Sequence, residues 1–194
     1  NVGIGKYCFN YAGSGVSGDE NVVIGASAAN AITSGSDNTI LGTASGDALT
    51  TGSNNLILGH DAAASAVDVS NEITLGDSNI STLRCQVTSI SSLSDRRDKT
   101  DINILDLGLD FINSLKPVKF KWQTRDGKGP KGYEAGFVAQ DFQQVQTDYN
   151  ADYLNLVLES NPEKLEAAPG KLIPILVKAI QELKMEIDTL KIHV

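Results

Sequence analysis

The sequence predicts two parts of different fold class: an N-terminal repetitive β-solenoid or β-roll stalk, and a C-terminal α+β domain that ends in a coiled-coil helix. Three observations predict this. Glycines recur every 17 residues through the first half, the pattern changes to alternating polar and apolar residues after Ile80, and an unbroken Ile/Leu stripe at spacings of three and four closes the chain. The boundaries fall at 1–79 for the stalk, 80–93 for a linker strand, and 94–194 for the second domain, whose terminal helix covers 171–194.

The stalk comes first. Asn1-Val2-Gly3-Ile4-Gly5, Asn21-Val22-Val23-Ile24-Gly25, Asn38-Thr39-Ile40-Leu41-Gly42 and Asn55-Leu56-Ile57-Leu58-Gly59 are copies of one unit, and Ile73-Thr74-Leu75-Gly76 is a weaker fifth. Gly25, Gly42, Gly59 and Gly76 are spaced by 17, and so are Gly18, Gly35 and Gly52 just upstream of the strands. Each unit reads as a turn, a strand of three or four residues, glycine, then a small-residue segment. A strand that short buries no core alone, so it must stack on its neighbours, within the chain or between chains. Gly13-Ser14-Gly15-Val16-Ser17-Gly18 has the spacing of a dinucleotide-binding loop, but the helix such a loop requires is missing from 19–25. It reads instead as a first repeat expanded by three residues, and no cofactor is expected.

Composition narrows the function. A formal net charge of −8 argues against a nucleic-acid surface, which needs a basic face. No run of about 18 apolar residues is present to span a membrane. The sequence opens on Asn1 inside a repeat, with no signal peptide, and so reads as a piece of a longer protein. Cys8 and Cys85 lie far apart without a CxxC partner and read as two reduced hydrophobes. His60 and His193 have no second histidine at ligand spacing, so no metal site is expected.

From Ile80 to Leu93 the alternation of Leu83, Cys85, Val87, Ile90 and Leu93 with polar residues predicts a strand leading out of the stalk, with a serine-rich linker at 89–92. Ser94 to Ile102, SDRRDKTDI, follows directly. It places a hydroxyl five residues ahead of Lys99. A Ser–Lys pair performs acyl transfer when the lysine is held neutral within hydrogen-bond reach of the serine oxygen; the same spacing also fits a solvated turn. Arg96 and Arg97 favour a neutral lysine, whereas Asp98 favours the ammonium form.

Beyond the motif, apolar spacing predicts a helix over 106–114, ended by Pro117. Val118 to Trp122 alternates as a half-buried strand, 126–130 forms a hairpin-like loop, and a return strand covers 133–139. A helix over 140–145 and a strand over 153–157 complete a small α+β domain. In the terminal helix Ile173, Leu176, Ile180, Leu183, Ile187, Leu190 and Val194 occupy a and d positions of a coiled coil. Such a stripe serves either its own domain core or self-association. Ile at a with Leu at d favours two strands by the general rule.

Two resemblances add to this reading. The N-[STV]-[IV]-x-[IL]-G pattern resembles the head repeats of trimeric autotransporter adhesins, with a longer period, and implies an intertwined homotrimeric β-roll. SDRRDKTDI resembles the self-cleavage signature of the intramolecular chaperone domain of phage tail spikes and fibres, the peptidase S74 family. Three further blocks match in order: Leu115-Lys116-Pro117 with Phe120-Lys121-Trp122, then Gly136-Phe137-Val138-Ala139-Gln140-Asp141, then Leu172 to Leu176 leading into Ala179 to Leu183.

That family implies a C-terminal chaperone that drives trimerisation of the stalk and then cuts between Leu93 and Ser94, with Ser94 as nucleophile and Lys99 as general base. Asp95 and Asp101 would be structural, through turn or cap hydrogen bonds, and Gln140 is either a polar contributor to the site or an amide satisfying the core. The implied enzyme is a single-turnover autoprotease with no external substrate. The implied partners are two more copies of the chain, an upstream fibre region and a host cell-surface receptor, on a virion assembled in the bacterial cytoplasm. The alternative is an uncleaved trimeric adhesin or structural fibre with a permanent trimerisation cap, which Asp98 favours. An enzyme acting on an external glycan finds no paired carboxylates to support it.

Overall fold

The computed structural model describes residues 1–10, 15–87, 89–125, 127, 129 and 131–192. Its contacts divide the chain into two compact units: Asn1–Leu83 with Trp122–Lys131 and Ser160–Lys164, and Arg84–Lys121 with Gly132–Glu159 and Leu165–Val194.

In the first unit the five repeat strands, β1 (Val2–Ile4), β2 (Val22–Ile24), β3 (Thr39–Leu41), β4 (Leu56–Leu58) and β5 (Ile73–Leu75), form one parallel sheet in chain order. Each pairs in register with the next, so Val23 lies beside Ile40 and Ile40 beside Ile57. With period-2 side chains, only the middle residue of a three-residue strand faces inward. Val23, Ile40 and Ile57 are fully buried and meet Ala28, Ala29, Ile32, Leu49 and Ala62 of the return segments. The winding is therefore intrachain, and interweaving of chains is not needed to close this core. The outward neighbours Val22, Ile24, Leu41, Ile73 and Leu75 stay exposed.

The repeat asparagines answer the polar demands of the stack. Asn38 donates its backbone N–H and its Nδ2 to Asn21 Oδ1, both at 3.0 Å, and Nδ2 also reaches the Gly52 carbonyl at 2.9 Å. Asn55 does the same to Asn38, and Asn21 to Asn1 across a separation of 20, which is the three-residue expansion of the first repeat. Gly13 and Ser14 of the glycine motif lie outside the described residues. The ladder stops at Glu72, whose N–H still donates to Asn55 Oδ1 but whose carboxylate can only accept, here from Ser65 and Thr74. Gly42 has φ +141, and a Cβ there would lie 2.2 Å from the Gly59 carbonyl oxygen, so the rungs close up only on glycine.

The linker differs from expectation. Among the described residues no strand lies between 77 and 93, and Leu83, Ile90 and Leu93 project into solvent, Ile90 at 98 % exposure. A strand exists by its ladder, and a single chain offers this segment no partner.

In the second unit, α1 (Leu109–Ser114) starts three residues later than predicted because Gly108 is its N-cap. β6 (Val118–Phe120) and β7 (Glu134–Gly136) form the antiparallel hairpin; Asp126, Lys128 and Pro130 of its loop lie outside the described residues. α2 (Ala139–Asp148) runs three residues past its expected end. The strand expected at 153–157 is a correction: Asp152–Leu154 is a 3-10 turn closed by Asn155 at φ +47, and only β8 (Val157–Leu158) is extended, paired with β9 (Glu166–Ala167). α3 (Ile173–Ile192) follows a 3-10 turn at Pro169–Leu172, where the proline sets the first turn.

The core of this unit joins Leu107, Phe111, Phe142, Val145, Leu156, Leu172 and Ile175. Phe111 meets Tyr149 edge-on at 5.1 Å. Glu182 Oε2 on α3 accepts from Leu109 N at 2.7 Å and so caps α1 from across the helix pair. That N–H is the largest cause holding the Glu182 carboxyl below its ordinary value, with Lys178 adding to it.

Candidate functional site

The site is built on a five-residue turn. Asp95 has extended dihedrals (φ −66, ψ 137) and caps the 3-10 turn Arg96–Asp98, its Oδ1 accepting from Arg97 N at 2.8 Å. The Arg97 guanidinium folds back on the same carboxylate, Nε to Oδ1 at 3.0 Å and Nη2 to Oδ2 at 2.6 Å. This fork, more than the backbone N–H, holds the Asp95 carboxyl below its ordinary value, and the carboxylate in turn raises Arg97. Lys99 N then donates to Arg96 O at 3.2 Å, which reverses the chain.

The reversal brings the two chemical groups together. Lys99 Nζ donates to Ser94 Oγ at 2.7 Å. With the amine neutral the same approach runs the other way, and the hydroxyl can pass its proton to nitrogen. Both side chains are exposed in the single chain, and Leu93, on the other side of the 93–94 bond, is 83 % exposed. The bond is thus reachable, while the dry surroundings that strengthen such a pair are not supplied by one chain alone.

The remaining predicted residues fall as follows. Asp101 sits in the left-handed region at φ +50 and accepts from Asn103 Nδ2 at 2.9 Å, so it shapes a turn. Gln140 is exposed in the first turn of α2 and, among the described residues, bonds to neither Ser94 nor Lys99. The buried amide of that helix is Gln146, whose Oε1 accepts from Leu156 N, a role the motif-based reading missed. Its apolar neighbours Phe142 and Val145, at helical spacing, were the available signal.

On α3 the sequence stripe and the buried stripe are different. Leu172, Ile175 and Ala179 enter the domain core, whereas Ile173, Leu176, Ile180, Leu183, Ile187 and Leu190 remain exposed, Ile180 at 64 %. From Leu183 to Lys191 every side chain is exposed. Val194, and His193 beside it, lie outside the described residues.

Among the described residues a cluster of metal-ligand type also forms, which their spacing in the sequence does not predict. Ligand atoms of His60, Asp61 and Asp77 lie within 4.8 Å of one another.

Residues 94–150 match the family Peptidase S74, described as chaperone of endosialidase. The match begins at Ser94 and takes in the turn, the β6–β7 hairpin and α2. No curated protein and no solved structure matches the chain.

Proposed function

We propose, from the premise that residues 94–150 carry a Peptidase S74 segment, that the chain is the C-terminal region of a phage tail fibre or spike. Its terminal domain is an intramolecular chaperone that gathers three chains, sets the register of the stalk and then detaches by cutting between Leu93 and Ser94. The observation that carries the reading is the 2.7 Å approach of Lys99 Nζ to Ser94 Oγ at the first residue of the matched segment.

The chemistry is one acyl shift followed by one hydrolysis. Neutral Lys99 takes the Ser94 Oγ proton while Oγ attacks the Leu93 carbonyl carbon. The C–N bond breaks, the proton passes from Lys99 to the departing Ser94 nitrogen, and Leu93 is left as an ester on Oγ. Water then cleaves the ester to a Leu93 carboxylate and a free Ser94 hydroxyl. Nothing is oxidised, one water is consumed, and each site acts once. Loss of the assembling element makes stalk unfolding effectively irreversible.

Assembly has its own support. Burying what remains exposed of the six a/d residues of α3, 41–67 % of each, would contribute on the order of 5–10 kcal/mol per helix. Association costs roughly 4–15 kcal/mol, so the stripe is large enough to matter and small enough to need help. The aliphatic outer face of the stalk sheet, with Val22, Ile24 and Leu41, supplies it. Three strands are preferred to two because the resemblance of Ser94 to Ile102 to the tail-spike chaperone signature implies trimers.

A second reading, a permanent trimerisation cap without proteolysis, is favoured by Asp98, which shares the turn with Lys99, and by the solvent exposure of the dyad. Intact mass of the denatured, freshly expressed chain separates the two. Two fragments summing to the full chain plus one water, with a break before Ser94 and with full-length Ser94→Ala and Lys99→Ala, support cleavage. A single full-length species leaves the cap.

A further inference from the structure

We infer that His60, Asp61 and Asp77 form a binding site for a divalent transition cation, with zinc as the ion to try first, at the last two rungs of the stalk. His60 Nδ1 lies 3.4 Å from Asp61 Oδ2. Zinc with ligand arms of about 2.0–2.1 Å in a tetrahedron sets its ligands roughly 3.4 Å apart. The third carboxylate completes a set whose atoms all fall within 4.8 Å, a spread that a modest rotation of exposed side chains closes.

The 17-residue period brings the three together. Leu58 pairs with Leu75, and Gly76 N donates to Leu58 O at 2.7 Å, so His60 and Asp77 occupy the same corner on adjacent rungs. In earlier rungs the His60 column holds Ala26 and Thr43, and the Asp61 column holds Ser27 and Ala44. In these two columns, ligating side chains replace the small residues of the second and third rungs at the last two rungs. The backbone beneath them is fixed: Asp61 N donates to Thr43 O at 3.0 Å, and Asp61 keeps the left-handed conformation (φ +53) of Ala44 before it.

Asp77 is also oriented from behind, because Asn79 donates its N–H to Oδ1 at 3.1 Å and Nδ2 to Oδ2 at 2.5 Å. Asn79 thus holds the Asp77 carboxylate in place, as the outer partners of metal-ligating carboxylates do. One imidazole and two carboxylates suit zinc, nickel or manganese better than magnesium or calcium, which prefer all-oxygen shells. Three protein ligands leave a position for water. A surface His–Asp pair alone would account for His60 and Asp61 but not for the convergence of Asp77 from the next rung. A bound ion would tie those two rungs and stiffen the end of the stalk.

The test uses the full chain, stripped with a chelator and titrated with zinc chloride by calorimetry, with the stalk melting temperature followed alongside. The expected result is one zinc per chain and a higher stalk melting temperature, with no rise from magnesium at equal concentration. His60→Ala and Asp77→Asn should each weaken binding at least about tenfold. Because the His60 side chain is 70 % exposed, its variant should fold, and circular dichroism in chelator checks this. Cobalt(II) gives a second readout, a tetrahedral d–d absorption that vanishes in His60→Ala. Absence of zinc binding, or zinc or cobalt binding that does not depend on His60, overturns the assignment.

Discussion

In the stalk the three inner rungs each bury one strand residue, Val23, Ile40 and Ile57, against the return segments, and polar groups are answered by the equivalent residue of the next rung, as for Asn38 with Asn21 and Asn55. In the terminal unit the core is assembled from side chains that no period relates, and a cap such as Glu182 on Leu109 spans 73 residues. The stalk is thus specified locally and repeatedly, which makes it robust but nearly indifferent to a slip of one whole rung. The terminal unit is unique in sequence and has one register. In the proposed function, that uniqueness is what would give several chains a common starting point that the repeats cannot give themselves.

The contrast can be broken from either side. Gly42→Ala puts a Cβ 2.2 Å from the Gly59 carbonyl in a left-handed backbone, and should cost roughly 4 kcal/mol. Thermal melting followed by circular dichroism should show the stalk transition falling and the terminal transition unmoved. Asn38→Ala leaves Asn55 N, one of the two Asn55 Nδ2 hydrogens and the Gly52 carbonyl without partners in a buried ladder, while Nδ2 keeps its bond to the Val69 carbonyl, and should cost about 3 kcal/mol in the same transition.

The terminal unit has the acid-sensitive joint. Glu182 is held below its ordinary value near 4.5 in the folded state, so its contribution is present above that value and is lost as pH falls through the lower folded one. The melting temperature of the terminal unit should drop more steeply below about pH 4.5 in the native chain than in Glu182→Gln, and a pH series of melts checks this. The smallest expected effect sharpens the stalk. Glu20, Asp37, Asn54 and Asn71 hold the same left-handed corner, and Glu20 is the residue least suited to it. Glu20→Asn should stabilise the stalk by about 0.5 kcal/mol in denaturant titration.

The stalk was legible because its signal is periodic. Gly25 to Gly76 gave the rung length and the extra spacing from Asn1 to Asn21 gave the expanded first repeat, whereas the burial of Val23, Ile40 and Ile57 follows only from the register of the rungs. The amide ladder was in view as a column of asparagines, yet hydrogen bonding between them follows only from the stacking. In the terminal unit α1, α2, α3 and the hairpin were readable from apolar spacing and Pro117, whereas β9 and the 3-10 turns were not, since two- and three-residue elements carry no period. Ser94 and Lys99 were found by motif. Their approach depends on Asp95 turning the chain, which the cap residue hinted at. Asp77 beside His60 was hidden because the partners are 17 residues apart. The linker at 80–93 alternates as a strand should, and lacks in one chain the partner that would make it one.

If the exposed stripe of α3 assembles the chains, removing it must leave them apart. Sedimentation equilibrium of Ser94→Ala, which keeps the terminal domain attached, tests it most directly when run beside the same chain carrying Ile180→Glu and Leu183→Glu. Both substituted positions are exposed, so the terminal unit should keep its circular dichroism and melting. The expected masses are a trimer for Ser94→Ala and a monomer for the triple variant. A monomeric Ser94→Ala chain, or a trimer indifferent to the two glutamates, would contradict assembly by the stripe.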